Sequence, residues 1–179
     1  TAYQFTLAAT FATTAIAQTL MPKISNWSAH QETDRIPPVL ARGITYSLLL
    51  AVPVAAGGIL LSERLLYYFY GADFAAGAGV CSILLILQII NVFTFLLGTA
   101  LSSMDHARQS FYATAAAALL NIILNLILIP KIGIEGAAIA TLISFTVNAV
   151  LIGYFLNKYI RIRLDLRPIG GILASAAAM

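Results

Sequence analysis

The stretch that decides the fold is residues 118–144, ALLNIILNLILIPKIGIEGAAIATLIS. It reads as a membrane helix, a tight break from Pro130 to Gly133, and a second membrane helix that opens on small residues. Asn121 and Asn125 are four apart, so a helix puts them on one face. Gly136, Ala137, Ala138, Ala140 and Thr141 carry little bulk, which lets the second helix pack close to a neighbour. None of these residues has the character of an enzyme active site.

The composition around this stretch agrees. Of 179 residues, 60% are hydrophobic and only 9% charged, and the mean hydropathy is +0.91. Soluble domains carry about 25% charged residues. A soluble core of this length could not bury so many apolar side chains, so the surplus must face lipid. The net charge of +3 is modest, and the basic residues sit between apolar spans. They are topology signals and not a nucleic-acid surface. Cys81 is alone within an apolar run and reads as a packing residue, without a disulfide partner or metal-ligand spacing.

Five segments are long enough to cross a bilayer, at approximately residues 3–21, 43–61, 74–101, 111–129 and 136–156, and a truncated sixth starts at 169. The absence of β-barrel alternation leaves an all-α, polytopic transmembrane helix bundle. The chain opens on Thr1 and stops about 11 residues into the last apolar run, so we expect a piece of a longer transporter.

Lys23, Arg35 and Arg42 lie in the first loop, Arg108 in the third, and Lys158, Arg161, Arg163 and Arg167 in the fifth. The second and fourth loops hold only Arg64 and Lys131. The positive-inside bias therefore predicts that loops 22–42, 102–110 and 157–168 are cytoplasmic. Within the first loop, residues 22–36 suit a short helix lying in the interface, with Trp27 at headgroup depth; an irregular solvated loop is the alternative. Pro37 and Pro38 would stop that helix. Tyr67, Tyr68, Phe69 and Tyr70 read as an aromatic belt ahead of a turn at Gly71, with a sugar-stacking platform as the rival reading.

Polar side chains at bilayer depth need partners or water. The first span has Gln4, Thr6, Thr10, Thr13, Thr14 and Gln18; the third has Gln88, Asn91 and Thr94; the fourth has Asn121 and Asn125; the fifth has Thr141, Ser144 and Asn148. Two readings compete. Either these groups join helices, at roughly 0.6 kcal/mol per hydrogen bond, or some line a hydrophilic cavity. The cavity or interhelix candidates are Gln18, Gln88, Asn91, Asn121, Asn125 and Asn148. The packing and hinge candidates are Pro53, Pro130, Gly133, Gly136 and Ala140. Pro53 frees a backbone carbonyl in the second span, which suits either a moving or a static helix. Asp, Glu, Lys and Arg are absent from the depths of the spans, so no coupling-ion site is expected here. His30 and His106 fall in loops and read as solvated, and neither metal nor other cofactor is expected.

Asn121 and Asn125, then Leu128, Ile129 and Pro130, then Gly133 and GAAIAT at residues 136–141, together resemble the Wzx-like polysaccharide flippases of the multidrug/oligosaccharidyl-lipid/polysaccharide exporter superfamily. Supporting pieces are Pro22 and Ser25, Pro53, YFYGADF at residues 68–74, and the closing run 167–179. The resemblance covers essentially the whole chain. It implies two bundles around a central cavity, with this chain forming most of the C-terminal six-helix bundle, its eighth to twelfth spans and the start of a thirteenth. The implied partners are the lipid bilayer, a polyprenyl-linked glycan substrate and the remaining N-terminal bundle of the same chain. The implied activity is translocation of that glycan across the cytoplasmic membrane. Cavity residues differ widely within the superfamily, so no substrate ligand is carried over. A drug/cation antiporter, a lipid II flippase and a non-transporting membrane scaffold are the rivals. An enzyme is not expected, because Asp105 and His106 do not form a catalytic pair.

Overall fold

The computed structural model describes residues 2–70 and 78–160. They are all-α: helices α1 (Ala2–Ala29), α2 (Ile36–Tyr70), α3 (Ala78–Ser103) and α4 (Ala107–Tyr159), with a 3₁₀ turn at Thr33–Arg35. Three of the described helical segments are long and apolar enough to cross a membrane: Thr33–Ser62, Gly79–Ser103 and Ala107–Tyr159. At most 33% of each apolar window is buried. Leu119, Ile122, Ile123, Leu126 and Ile127 instead point outward, as lipid-facing side chains do. The turn at Gly71, the start of the third segment at 74–77, and the sixth segment from 169 lie outside the described residues.

α4 is 53 residues long, and its backbone leaves the helical region at Ile132 (φ −134, ψ 16) and Gly133 (φ 60, ψ −135). The chain reverses there. The Asn121 and Thr141 side chains lie 3.5 Å apart, where an unbroken helix would separate residues twenty apart by ~30 Å. α4 is thus a hairpin with antiparallel arms at 107–131 and 134–159. The break is narrower than the sequence suggested, because Pro130 stays within its helix. The reversal needs positive φ, which glycine alone adopts freely at this ψ, whereas proline only removes a donor.

α3 is the hub. α1, α2 and α4 all pack on it, and α1 also packs on α2. Each helix offers a ridge of residues four apart: Ile36, Leu40, Ile44, Leu48 and Val52 on α2; Val92, Leu96 and Ala100 on α3; Gly136, Ala140, Ser144, Asn148, Ile152 and Leu156 on α4. Such ridges bring one face inward and leave the rest to lipid. α2 continues through Pro53, whose ring is on an exposed face.

The first loop differs from expectation. α1 runs past Pro22 to Ala29, so no separate interfacial helix forms, and the break spans only residues 30–35. Pro22 is exposed near the end of an apolar segment, where water or headgroups can satisfy the carbonyl it frees. Pro37 and Pro38 open α2 instead of stopping a helix, because first-turn N–H groups have no helical partner to lose. Likewise, residues 104–106 alone separate α3 from α4, and α4 runs on to Tyr159. In the fifth loop, residues 161–168 lie outside the described residues.

Two chain reversals at the same end of the bundle share one design. The Glu32 N–H donates to Trp27 O and the Gln31 N–H to Ser28 O, while the His106 N–H donates to Leu101 O and the Asp105 N–H to Ser102 O. These are Schellman caps, closed by a left-handed residue at Gln31 (φ 60) and Asp105 (φ 63). Asp105 therefore has a backbone role. His106 is not simply solvated: its ring stacks on Tyr159 at 3.7 Å between centroids, and Gln109 Nε2 donates to the Tyr159 hydroxyl at 3.0 Å. A left-handed conformation costs an L-residue ~1–2 kcal/mol. Gln31→Gly is accordingly expected to raise the stability of the intact protein by about 0.5–1 kcal/mol, after the entropy glycine adds to the unfolded chain. Equilibrium unfolding in detergent reads this directly.

Candidate functional site

The polar groups of the spans sort by what already satisfies them. Most hydroxyls bond within their own helix. Thr94 donates to Ile90 O at 3.2 Å, Thr141 to Ala137 O at 2.8 Å, Ser144 to Ala140 O at 2.7 Å and Thr146 to Leu142 O at 2.7 Å. Such groups cost little in lipid and mark no cavity. Thr13, Thr14 and Gln88 are also engaged by interactions of their own. The side chains of Gln4, Thr6 and Thr10 lie outside the described residues.

Asn121 links the two arms of α4, and Asn125 supports it from the same arm. Asn125 Nδ2 donates to Asn121 Oδ1 at 2.9 Å, and Asn121 Nδ2 reaches Thr141 Oγ1 at 3.5 Å. Beside them, a Cβ placed on Gly136 would lie 2.5 Å from the Leu128 carbonyl oxygen. The small-residue run therefore brings backbone against backbone, and the amides close the gap. Thr141→Val removes the end of this chain and keeps its shape. It should cost about 0.6 kcal/mol of stability, read by thermal unfolding of the intact protein, and should leave activity unchanged.

Asn148 differs. It is 7% exposed, and its Oδ1 is buried without a hydrogen-bond partner among the described residues. It sits on the inward ridge of α4 between Ser144 and Ile152. Gly79 lies against Glu135 and Gly98 against Ile152, so α3 and the second arm of α4 run parallel. This places Asn148 level with Thr94, one turn beyond Asn91, which is half-buried. Gln18 is exposed on α1. Thus the six polar candidates do not converge on one site: Asn121 and Asn125 lie in the hairpin, Gln88 is held, and Asn91, Gln18 and Asn148 are distributed over three helices.

Sequence reasoning missed Ser47. It is 2% exposed and its Oγ has no partner among the described residues. Gly58, near the end of α2, faces Leu85, near the start of α3, as in consecutive antiparallel helices, so Ser47 falls near the level of Leu96. Ser47 and Asn148 thus lie at similar depth on either side of α3. The available signal was a single hydroxyl inside the apolar run SLLLAVP, beside the inward ridge of Ile44 and Leu48.

Helices that expose apolar faces and bond most of their hydroxyls within the helix define a polytopic, all-α membrane protein. A family profile described as "Lipid II flippase MurJ" matches residues 2–178, and the chain belongs to this family of membrane flippases. It is 32% identical over 179 residues to a probable low-salt glycan biosynthesis flippase, Agl15, of Haloferax volcanii, covering 100% of this chain and 38% of that protein. It is 31% identical over 169 residues to a probable flippase, AglR, of the same organism, covering 93% of this chain and 35% of that one. An uncharacterized membrane protein of Methanocaldococcus jannaschii is 30% identical over 141 residues, covering 79% and 32%. The chain thus spans about a third of the length of these curated relatives. No solved structure matches it significantly. The sequence-based expectation of a flippase stands; its finer placement among Wzx-like proteins goes beyond these matches.

Proposed function

We propose that this chain forms part of a flippase that moves a polyprenyl-linked oligosaccharide across the cytoplasmic membrane, as Wzx-like members of the exporter superfamily do. The observation that carries this reading is the match of residues 2–178 to a flippase family. The name of Agl15, a glycan biosynthesis flippase, favours a glycan-bearing substrate. The physical task is to carry a polar head group through hydrocarbon while its lipid tail stays in the bilayer. Uncharged polar groups can exchange hydrogen bonds with hydroxyl-rich sugar without the large cost of a buried charge. In this reading, Asn148, Asn91 and Gln18 face the path, and Asn121 and Asn125 hold the hairpin. Pro53 gives α2 a bending point, and the remaining N-terminal bundle of the same protein supplies the opposite wall. Loops 22–42, 102–110 and 157–168 face the cytoplasm. A second reading, translocation of lipid II itself, is favoured by the description of the family.

The test is deletion of the full-length gene in its host. Lipid-linked oligosaccharide should accumulate on the cytoplasmic leaflet, protected from an externally added glycosidase, and the wild-type gene should reverse this. Accumulation of lipid II alone would favour the second reading. Unchanged distribution of both lipids would refute the proposal.

A further inference from the structure

A groove opens where the last turns of α1 meet the start of α2. It encloses about 380 Å³ and is lined by Pro22, Lys23, Asn26, Trp27 and Val39. It exists because α1 runs past Pro22 to Ala29 and the Schellman cap at Gln31 turns α2 back beside it. Its polar rim is unspent. Among the described residues, Lys23 makes no ion pair and the Asn26 side chain no hydrogen bond, whereas nearby Arg35 is paired with Glu32 at 3.2 Å. Pro22, Val39 and the half-buried Trp27 supply apolar walls.

Depth then selects the ligand. In the sequence the first apolar segment runs to Met21, and Lys23 to Trp27 continue the same helix. The groove therefore extends within about 9 Å of the hydrocarbon edge, the layer that headgroups occupy. A free ammonium and an amide over an apolar floor at that depth complement a phosphate attached to a hydrocarbon chain. We infer that this groove binds the phosphate of an anionic phospholipid from the leaflet on its own side of the membrane. Lys23 pairs with the phosphate, Asn26 donates to its oxygens, and Trp27 and Val39 cover the glycerol and upper chain. Its test reads binding without flux, so its failure and that of the proposed function are distinguishable.

The intact protein, in nanodiscs of zwitterionic lipid, is exposed to a photoactivatable phosphatidylglycerol, and labelled peptides are mapped. Label is expected on residues 22–39. Lys23→Gln should reduce it about five-fold. Lys158→Gln, which removes a charge at the same end but outside the groove, should leave it unchanged. Both side chains are exposed, so neither variant threatens the fold. Equal labelling by photoactivatable phosphatidylcholine would overturn the assignment, since charge would then not be read. So would an equal loss in Lys158→Gln, which would mean diffuse attraction, or displacement by inorganic phosphate at matched concentration.

Discussion

Gly136→Val is expected to destabilise the intact protein by about 3 kcal/mol, at the upper end of typical overpacking. The reason is the identity of what the new side chain meets. A Cβ at residue 136 would lie 2.5 Å from the Leu128 carbonyl oxygen and 2.7 Å from its carbon. Both are backbone atoms of the facing arm, so no rotamer change relieves the clash and the hairpin must splay. Splaying also pulls Asn121 from Thr141, whose 3.5 Å contact is already long. Gly57 is the control, because a Cβ there meets nothing within 4 Å. Gly57→Ala should be neutral or stabilise by about 0.5–1 kcal/mol, as replacement of glycine within a helix does. Thermal unfolding in lipid nanodiscs compares the two. Equal tolerance at both positions would mean that the arms do not approach as described.

Asn148→Leu separates a role in holding helices from a role in transport. Leucine has the same number and branching of side-chain heavy atoms as asparagine, so the exchange removes the amide and keeps the branched shape. The Asn148 Oδ1 is buried without a partner among the described residues. Replacing such a group with an apolar one should leave stability unchanged or raise it by about 1 kcal/mol. If the amide meets a sugar hydroxyl during translocation, the same change should lower flux about ten-fold, equivalent to one hydrogen bond of ~1.4 kcal/mol. Flux and melting temperature are therefore expected to move apart. Asn121→Leu should behave in the opposite way, losing stability because Asn125 Nδ2 and Thr141 lose their partner. Loss of stability with unchanged flux at Asn148 would remove it from the transport path.

The hairpin of α4 was legible in the chain because its determinants are local. Apolar runs on either side of residues 130–133 fix two helices, and Gly133 supplies the one conformation that reverses them. The first loop was less legible. Prolines at 22, 37 and 38 signal helix ends in sequence, yet what they do depends on whether the lost N–H had a partner. At Pro22 the helix end is close to polar surroundings, and Pro37 and Pro38 occupy a first turn, so helices run through or begin there.

For the polar groups, sequence alone determined which side chains stand at bilayer depth, and that none deep in the spans is charged. It could not divide them between packing and path, since a stripe at helical spacing looks the same whether a helix or water faces it. That division belongs to tertiary structure. Reversal at Gly133 brought Asn121 to Thr141, and Asn125 donates to Asn121 while its own Oδ1 stays open. The register of α3 with α4 buried Asn148 and left its carbonyl open, and the pairing of α2 with α3 enclosed Ser47. Composition fixes the solvent, because apolar surplus must go to lipid. Only the meeting of helices distant in sequence fixes which polar groups are satisfied, because a hydrogen bond depends on distances of a few ångström that no spacing along one chain prescribes.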